Sequence, residues 1–387
     1  MEGWEVAWES GEQSGDCEST LNARVFPIQT ELVQFIRETI RTRGPQPFSW
    51  FMEQALYHPA HGYYPSGRAA IGRRGDYFTN VSVGPLFGTL LAAQFIEIWE
   101  RLAQPNRFII VEQGAHDGQF AHDLLSGIRS RAPQVFEAIG YRIVEPFPLW
   151  QDRQRQTLCN FPEEVAWHNS LADLDAFAGI HFSNELLDAL PVNLRDKSVG
   201  LDRDEFVFVE NCNDRLPNES QLTWIETVAA KLQRGFVIAI DYGFVRNDFR
   251  EVIQARARHQ HLDSPFEQVG EADISVHVNW TDLAERAEAS GLRVAGFSDQ
   301  HHFFTGIASI WPDLLSSPLS NSTSLTNKAH SASDTAKTRR ALQTLLHPEM
   351  LGRAFQVLAL EKNAGFAEPL AGFRFARDSR SALGLKK

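Results

Sequence analysis

The chain has 387 residues, enough for one large domain with additions or for two domains. Its 43% hydrophobic and 22% charged residues are typical of a globular protein. The net charge of −12 argues against a general nucleic-acid binder, because neutralising phosphates requires a basic face. A cationic substrate such as an arginine side chain is compatible with this acidic balance.

The cysteines and the N-terminal residues bear on the compartment. Cys17, Cys159 and Cys212 are scattered and lack metal-binding spacing, so neither a disulfide framework nor a metal site is predicted. No apolar run reaches eighteen residues, which predicts no membrane span. The first twenty residues are acidic and lack arginine, unlike a secretory signal or a mitochondrial presequence. We therefore expect a cytoplasmic location.

The N-terminal third reads as a tail followed by helices. Residues 1–23 are acidic and predict a disordered tail, and residues 24–104 predict a helical region. Its helices are expected after a Thr30 cap, over Phe48–Tyr57 and over Ser82–Glu100. The segment His58–Asn80 has no helical or strand period but is rich in aromatic residues, which favours an ordered lid over a ligand. A packed surface loop is the alternative.

The sequence FIIVEQGAHDG, residues 108–118, predicts a buried strand, a glycine turn and the start of a helix. Such a unit presents backbone N–H groups and a positive helix end to a ligand. A second short strand, Tyr141–Glu145, ends in an acid that can accept both hydroxyls of a ribose. An ordinary βαβ unit without a nucleotide is the alternative.

The remaining elements alternate as in a doubly wound sheet, which predicts a Rossmann-like domain over residues 105–373 and a tail over 374–387. We expect a β-insertion at 192–210, containing strands at Val192–Leu194 and Phe206–Val209, and a low-complexity loop at 319–338.

Residues 246–261 have no clear strand or helix pattern. Thr281 is expected to cap a helix over Asp282–Ser290. Further strands are expected at Val165–His168, Ile180–Ser183, Phe236–Ile240, Arg293–Ser298 and Phe355–Leu360.

This arrangement of acids and glycines fits either a dinucleotide or S-adenosylmethionine. The late strands fit the seven-stranded sheet of methyltransferases, and the G-x-x-x-G turn departs from the dinucleotide spacing G-x-G-x-x-G. The pair Asn184-Glu185 follows the fourth strand, where methyltransferases hold the acceptor near the methyl group. These features favour S-adenosylmethionine as the cofactor.

Several motifs in order resemble the MidA-type methyltransferases, which are related to the mitochondrial arginine methyltransferase of complex I assembly. The resemblance spans roughly residues 48–373 and includes FMEQALYHPAHGYY (51–64), GDYFTNVSVGPLFG (75–88), NELLDALPV (184–192), IDYG (240–243), ADISVHVNW (272–280) and HPEMLGRAFQVLAL (347–360). It implies an α/β, class I Rossmann-like fold of seven strands with a helical N-terminal extension and an inserted β-element. It also implies S-adenosylmethionine as donor and a protein arginine, such as one of a respiratory complex I subunit, as acceptor.

The chain departs from the family pattern at two places. His116 stands where the family usually has a third glycine, and we expect its side chain to turn away from the cofactor. The segment 246–261 lacks the run that usually precedes the histidine motif. Another protein or small-molecule acceptor, or a non-catalytic assembly factor that retains the fold, therefore remains an alternative.

The acceptor chemistry suggests three catalytic candidates. A protonated guanidinium is a poor nucleophile, so an enzyme must hold it with carboxylates and aim one nitrogen at the methyl group. We assign Glu185 to this grip and expect Asp188 to brace its turn. His277 could accept the departing proton through water or simply hold its loop. The cofactor-binding candidates are Tyr64, Asp76, Thr79, Glu112, Gly114, His116, Gly118, Glu145, Asn169 and Asn184. No metal ligand is proposed, and the oligomeric state is not predicted.

Overall fold

The computed structural model describes residues 31–67, 79–210, 219–248, 252–258, 260–311, 332–365 and 368–386. The predicted tail 1–23, the Thr30 cap, Asp76 and most of the low-complexity loop lie outside the described residues. None of the helices in the described ranges combines the length and apolar composition needed to cross a bilayer.

The described elements alternate between strands and helices. The helices are α1 (Glu31–Arg43), α2 (Phe48–Tyr57), α3 (Leu86–Arg101), α4 (Gln119–Arg131), α5 (Pro133–Ala138), α6 (Pro148–Thr157), α7 (Glu219–Lys231), α8 (Trp280–Ala289), α9 (Gln300–Ile310), α10 (Ala332–Leu346) and α11 (Ser379–Ala382). The strands are β1 (Gln46–Pro47), β2 (Phe108–Gln113), β3 (Ile139–Val144), β4 (Val165–His168), β5 (Phe177–Asn184), β6 (Lys197–Asp202), β7 (Glu205–Glu210), β8 (Leu232–Phe244), β9 (Ile253–Ala257), β10 (Gln260–Leu262), β11 (Asp273–Val276), β12 (Val278–Asn279), β13 (Arg293–Asp299) and β14 (Phe355–Lys362).

The main sheet has the strand order β4-β3-β2-β5-β8-β14-β13, and β12 adds a short pairing to the end of β8. The five strands β4, β3, β2, β5 and β8 run parallel, whereas β14 is antiparallel to both of its neighbours. The prediction of a seven-stranded, Rossmann-like α/β sheet is confirmed. Because the order reverses at β2 and β5, the carboxyl ends of these central strands open toward a crevice.

Helices cover both faces of the sheet. The larger core packs α3, α4, α9 and α10 against one face, through side chains such as Phe95, Leu124 and Ile110. The other face packs against α7 and α8, through side chains such as Val111 and Trp280. The apolar runs of β2, β5 and β8 are therefore buried on both sides, which explains why they were predictable as strands.

A third core forms a separate layer next to the crevice. It joins α1 and α2 to the antiparallel sheet β1-β6-β7 and to β11, with Phe48, Phe51 and Ile274 fully buried. Trp150 of α6 also packs into this layer, which connects it to the Rossmann-like domain. The N-terminal helices and the β-insertion thus form one structural unit.

Several predicted details are wrong. Val192–Leu194 is not a strand: Val192 and Leu194 are buried in the third core, and only an isolated bridge joins Leu194 to Lys197. The first strand of the insertion is instead Lys197–Asp202. The segment 246–261, predicted without regular structure, includes strand β9 and the start of β10, which pair as a hairpin.

Two further corrections concern chain ends and caps. Asn279, not Thr281, caps α8, because its Oδ1 accepts from the backbone N–H of Asp282. Thr281 lies inside the helix, and its hydroxyl donates to the carbonyl of Leu383. The described part of the predicted C-terminal tail is packed, since Leu383 and Leu385 are buried in the second core.

Candidate functional site

A cavity of about 310 Å³ lies at the carboxyl ends of β2, β3 and β5. Its walls include the rings of Phe120, Phe147 and Phe182, and carboxylates enter from the strand ends. Volumes of this size and mixed apolar and polar walls are typical of small-molecule sites. Eight predicted site residues line this cavity: Tyr64, Thr79, Glu112, Gly114, His116, Glu145, Asn184 and Glu185.

The glycine turn forms one wall of the cavity. Gly114 and Gly118 have φ values of 82° and 85°, a conformation that glycine adopts without steric cost. Gly118 caps the 13-residue helix α4, and its outer side packs against Gln154 and Leu158 rather than lining the cavity. The backbone N–H of Gln119, the first residue of α4, donates to Asp117 Oδ1 at 3.1 Å.

His116 does not turn outward as predicted. Its ring lies 4.5 Å from the ring of Trp150, and both residues line the cavity. The side chain is 24% exposed, and its Nδ1 lies 3.5 Å from Asp117 Oδ1. With φ at 45°, His116 occupies the left-handed region, and its ring packs against α6.

Glu145 follows β3 and is buried at the cavity wall. Its Oε1 accepts from the backbone N–H of Phe147 at 2.9 Å, and its Oε2 accepts from Gln154 Nε2 at 3.2 Å. Burial raises the pKa of Glu145 to about 7, although these two donors oppose the rise. A carboxylate in this position can accept hydroxyl hydrogen bonds from a ligand.

Glu112 is a second buried carboxylate in the same cavity. Tyr141 donates its hydroxyl to Glu112 Oε2 at 2.7 Å. Burial raises the pKa of Glu112 to about 8, so the group is largely neutral at pH 7 while no cation lies nearby.

Glu185 begins the loop after β5 with a left-handed backbone, at φ 52°. Its Oε1 accepts from the backbone N–H of Asn80 at 3.3 Å and from Asn184 Nδ2 at 3.0 Å. Asn80 Nδ2 also donates to Asn184 Oδ1, which fixes both amides. Burial and the nearby Asp188 raise the pKa of Glu185 to about 8. Both of these donors contact Oε1, and Glu185 lines the cavity.

Asp241, in β8, holds the loop that follows Glu185. Its Oδ2 accepts from the backbone N–H groups of Leu186, Leu187 and Asp188, at 3.1, 2.8 and 3.3 Å. This nest of donors supports a carboxylate that is 1% exposed. Burial nevertheless raises the pKa of Asp241 to about 7.

Asp188 lies outside the cavity wall, in the turn that follows β5. Burial, followed by the charges of Asp241 and Asp273, raises its pKa well above the ordinary value. The carbonyl of Asp188 accepts from the backbone N–H of Val276, which connects the loop to β11. The loop is thus held by the Asp241 carboxylate and by this backbone bond to β11.

His277 and Asn169 also lie outside the cavity wall. The ring of His277 stacks on Tyr242 at 6.1 Å, and its Nε2 lies 3.2 Å from Gln254 Nε2. Burial lowers the pKa of His277, which keeps the ring neutral. Asn169 is exposed and accepts from Gln151 Nε2, which also donates to the carbonyl of Glu145.

Sequence reasoning missed several residues of this site. Tyr57, Phe147 and Trp150 line the cavity from α2 and from the start of α6. The motif FMEQALYHPAHGYY contains Tyr57 and signals the first of these. Nothing in the sequence singles out Trp150, because its position depends on how α6 packs against the third core.

The residues present fit S-adenosylmethionine. Glu145 can hold ribose hydroxyls, the turn after β2 faces the cavity, and aromatic rings provide apolar walls. Glu112 and Glu185, whose pKa values are raised by burial, would gain a favourable partner from a cationic ligand.

A family model described as "Putative S-adenosyl-L-methionine-dependent methyltransferase" matches residues 90–210 and 217–298, more than half of the chain. Two curated relatives are similar to this chain in sequence. The mitochondrial protein arginine methyltransferase NDUFAF7 homologue of Drosophila melanogaster is 25% identical over 67% of this chain and 70% of its own length. The mitochondrial protein arginine methyltransferase NDUFAF7 of Homo sapiens is 23% identical over 91% of this chain and 87% of its own length.

A solved structure from Burkholderia thailandensis, bound to S-adenosylhomocysteine, superposes with a TM-score of 0.77 at 26% identity. The superposition covers 90% of this chain and 95% of that protein.

The names of the curated relatives also correct the predicted location. They are named as mitochondrial proteins, so the prediction of a cytoplasmic location is wrong. The acidic N-terminus differs from a typical mitochondrial presequence. This difference does not by itself identify a compartment.

Three observations indicate the same kind of protein. They are the family match over more than half of the chain, the seven-stranded sheet and the cavity at the carboxyl edge of that sheet. The chain belongs to this family of S-adenosyl-L-methionine-dependent methyltransferases.

Proposed function

We propose that the protein transfers a methyl group from S-adenosylmethionine to an arginine side chain of a protein. The observation that carries this proposal is the position of Glu185, a half-buried carboxyl group at the cavity wall whose Oε1 is held by Asn80 and Asn184. The relatives named as protein arginine methyltransferases support the same acceptor.

The cofactor-binding assignments form part of this proposal. Glu145 would hold the ribose hydroxyls, and the turn that contains Gly114, His116 and Gly118 would face the methionine part. Glu112, Asn184, Tyr64 and Thr79, which line the cavity, and Asn169, which lies beyond its wall, complete the proposed contacts. Glu145 has the best support, because its carboxylate is already oriented by two donors.

When bound, S-adenosylmethionine supplies an electrophilic methyl group on a sulfonium. Glu185 would hold the guanidinium so that one nitrogen forms the new N–C bond while the S–C bond breaks. Because its pKa is about 8 in the ligand-free protein, Glu185 would lose its proton as the cationic guanidinium arrives. The guanidinium then loses one proton after transfer, and S-adenosylhomocysteine leaves.

Asp188 and His277 have supporting roles in the proposed reaction. Asp188 lies close enough to Glu185 to raise the pKa of Glu185. His277, kept neutral by burial, could receive the departing proton through water.

The relatives support a proposal for the acceptor protein and for the compartment. We propose a mitochondrial location and an acceptor such as a respiratory complex I subunit, which the family resemblance implies. The names of the curated relatives support the location. A non-catalytic assembly factor is the competing function, favoured by the His116 ring at the cavity wall.

The test is the variant Glu185→Gln, which keeps the shape and hydrogen-bonding reach but removes the charge. We expect methyl transfer to fall by roughly two to three orders of magnitude, as when one preorganised electrostatic contact is lost. Affinity for S-adenosylhomocysteine, measured by calorimetry, should be retained. Glu163→Gln, at an exposed residue before β4, is the matched control and should be fully active. Near-normal turnover of Glu185→Gln would rule out the guanidinium grip.

A further inference from the structure

Gln154 of α6 is a fully buried polar side chain between the carboxyl ends of three strands. Its Nε2 donates to the carbonyl of His116 at 2.8 Å and to Glu145 Oε2 at 3.2 Å. Its Oε1 accepts from Trp167 Nε1 at 2.9 Å. The side chain therefore connects the turn after β2, the end of β3 and strand β4.

The orientation of this amide has only one chemically consistent form. The indole of Trp167 can only donate, so the amide oxygen must face it. The carbonyl of His116 and the carboxylate of Glu145 need donors, so the NH₂ group must face both. Every hydrogen of the Gln154 amide is thus committed to one of these two acceptors.

We propose that Gln154 is a positioning residue for the cofactor: it fixes the Glu145 carboxylate and the turn at His116 in the geometry that grips the ribose. The inference rests on the proposed role of Glu145 in holding the ribose hydroxyls. Gln154 does not line the cavity, so it acts through the residues that it holds.

The two oxygens of Glu145 depend on different partners. Oε1 is held by the backbone N–H of Phe147, two residues along the same chain segment. Oε2 has its described donor in Gln154 alone. Loss of this donor would leave Oε2 free to rotate away and would make the buried carboxylate harder to ionise.

Charged and titratable groups face Glu145 from two other elements. His116, in the glycine turn, lowers the pKa of Glu145, and Glu145 in turn raises the pKa of Tyr57 in α2. Both of these residues are unchanged in a Gln154 variant. A comparison of the two proteins across pH therefore isolates the contribution of Gln154.

The experiment is a calorimetric titration of S-adenosylhomocysteine against Gln154→Met, from about pH 6.5 to about 9. Methionine keeps the volume and loses both donors. We expect about tenfold weaker binding near neutral pH, the size of one lost hydrogen bond to a charged group. The loss should shrink as the pH rises, because Glu145 then ionises without help. Gln156→Met, at an exposed glutamine of the same helix, is the control and should bind like the wild type.

Two outcomes overturn the inference. One is binding by Gln154→Met equal to that of Gln156→Met. The other is a loss of the same size at every pH, which would indicate a general packing defect. If Gln154→Met does not fold, Trp167→Phe removes only the indole donor that orients the amide. It should show a smaller loss with the same pH trend, and unchanged binding would again overturn the inference.

Glu145→Gln separates this inference from the cofactor assignment beneath it. If Gln154 acts through Glu145, the double variant should bind about as weakly as Glu145→Gln alone. Unchanged binding by Glu145→Gln would overturn the ribose assignment and this inference together. Weak binding by Glu145→Gln with normal binding by Gln154→Met would overturn the inference about Gln154 alone.

Discussion

At the scale of single residues, His116 shows how backbone and side chain act together in the glycine turn. Its left-handed φ of 45° carries a steric cost of about 1–2 kcal/mol for a residue with a Cβ. The contact between its ring and Trp150 offsets part of this cost. The cavity therefore contains an imidazole wall that a glycine would not supply.

We expect His116→Gly to retain or improve binding of S-adenosylhomocysteine, because glycine adopts this backbone freely and widens the cavity. The measurement is a calorimetric affinity beside that of His116→Ala, which removes the ring but keeps the strained backbone. Tighter binding by the glycine than by the alanine variant would report the relief of strain. A loss of more than about tenfold in both variants would show that the imidazole contacts the ligand.

Most of the cavity residues that were predicted from the sequence lie at strand ends or in glycine turns. Glu112, Glu145 and Glu185 were predictable as neighbours because parallel strands present their carboxyl ends at one edge. Their roles remain predictions. Gln154 was not predictable, since an exposed and a buried glutamine of α6 look alike until the helix is packed.

At the scale of elements, the loop after β5 depends on a carboxylate from the neighbouring strand. Asp241 Oδ2 accepts three consecutive backbone N–H groups, while its Oδ1 accepts from Tyr242 N at 2.8 Å. An amide in its place would direct an NH₂ group at backbone donors on one side or the other. The loop that begins at Glu185 would then lose its anchor.

We therefore expect Asp241→Asn to destabilise the protein by about 1–3 kcal/mol and to lower methyl transfer at least tenfold, through displacement of Glu185. The measurements are urea unfolding and single-turnover transfer. Asp299→Asn is the matched control, because Asp299 caps α9 through the backbone N–H of His302, and asparagine caps helices nearly as well. Full activity of a folded Asp241→Asn protein would contradict this role.

The elements that could be predicted were those with strong apolar runs. Strand β4 has the predicted bounds, and β14 extends its predicted segment by two residues. The hairpin β9-β10 was missed because its sequence, with Arg256 and His261, is polar and pairs away from the main sheet. The prediction of a strand at Val192–Leu194 failed because all three residues are buried by packing in a loop, where only an isolated bridge forms. Burial alone does not require a ladder of hydrogen bonds.

At the scale of the whole molecule, the burial of several carboxyl groups at the site lowers the stability of the folded protein. Burial raises the pKa values of Glu112 and Glu185 to about 8, and those of Glu145 and Asp241 to about 7. The carboxyl groups thus bind protons more tightly in the folded protein than in the unfolded chain. Their contribution to the free energy of unfolding is full at low pH and is lost as the pH rises. The lowered pKa of the buried His181, about 3, acts in the opposite direction, but only below its ordinary value of 6.5.

We expect the free energy of unfolding to fall as the pH rises from about 6.5 to about 8.5, by up to about 1.4 kcal/mol per pH unit for each titrating group. Glu112→Gln, which still accepts from Tyr141, should make this slope shallower. Chemical denaturation at four pH values provides the measurement. A stability that rises across this window would show that the carboxyl groups are ionised in the folded protein without cost.

The central claim, methyl transfer to a protein arginine, is tested most directly by the amino acid that receives the label. The purified protein would be incubated with methyl-labelled S-adenosylmethionine and a mitochondrial extract, and the acid hydrolysate of the acceptor protein would be separated. We predict labelled methylarginine with the wild type and Glu163→Gln, and a strong reduction with Glu185→Gln. Label in another amino acid or in a small molecule, or equal methylarginine from wild type and Glu185→Gln, would contradict the account.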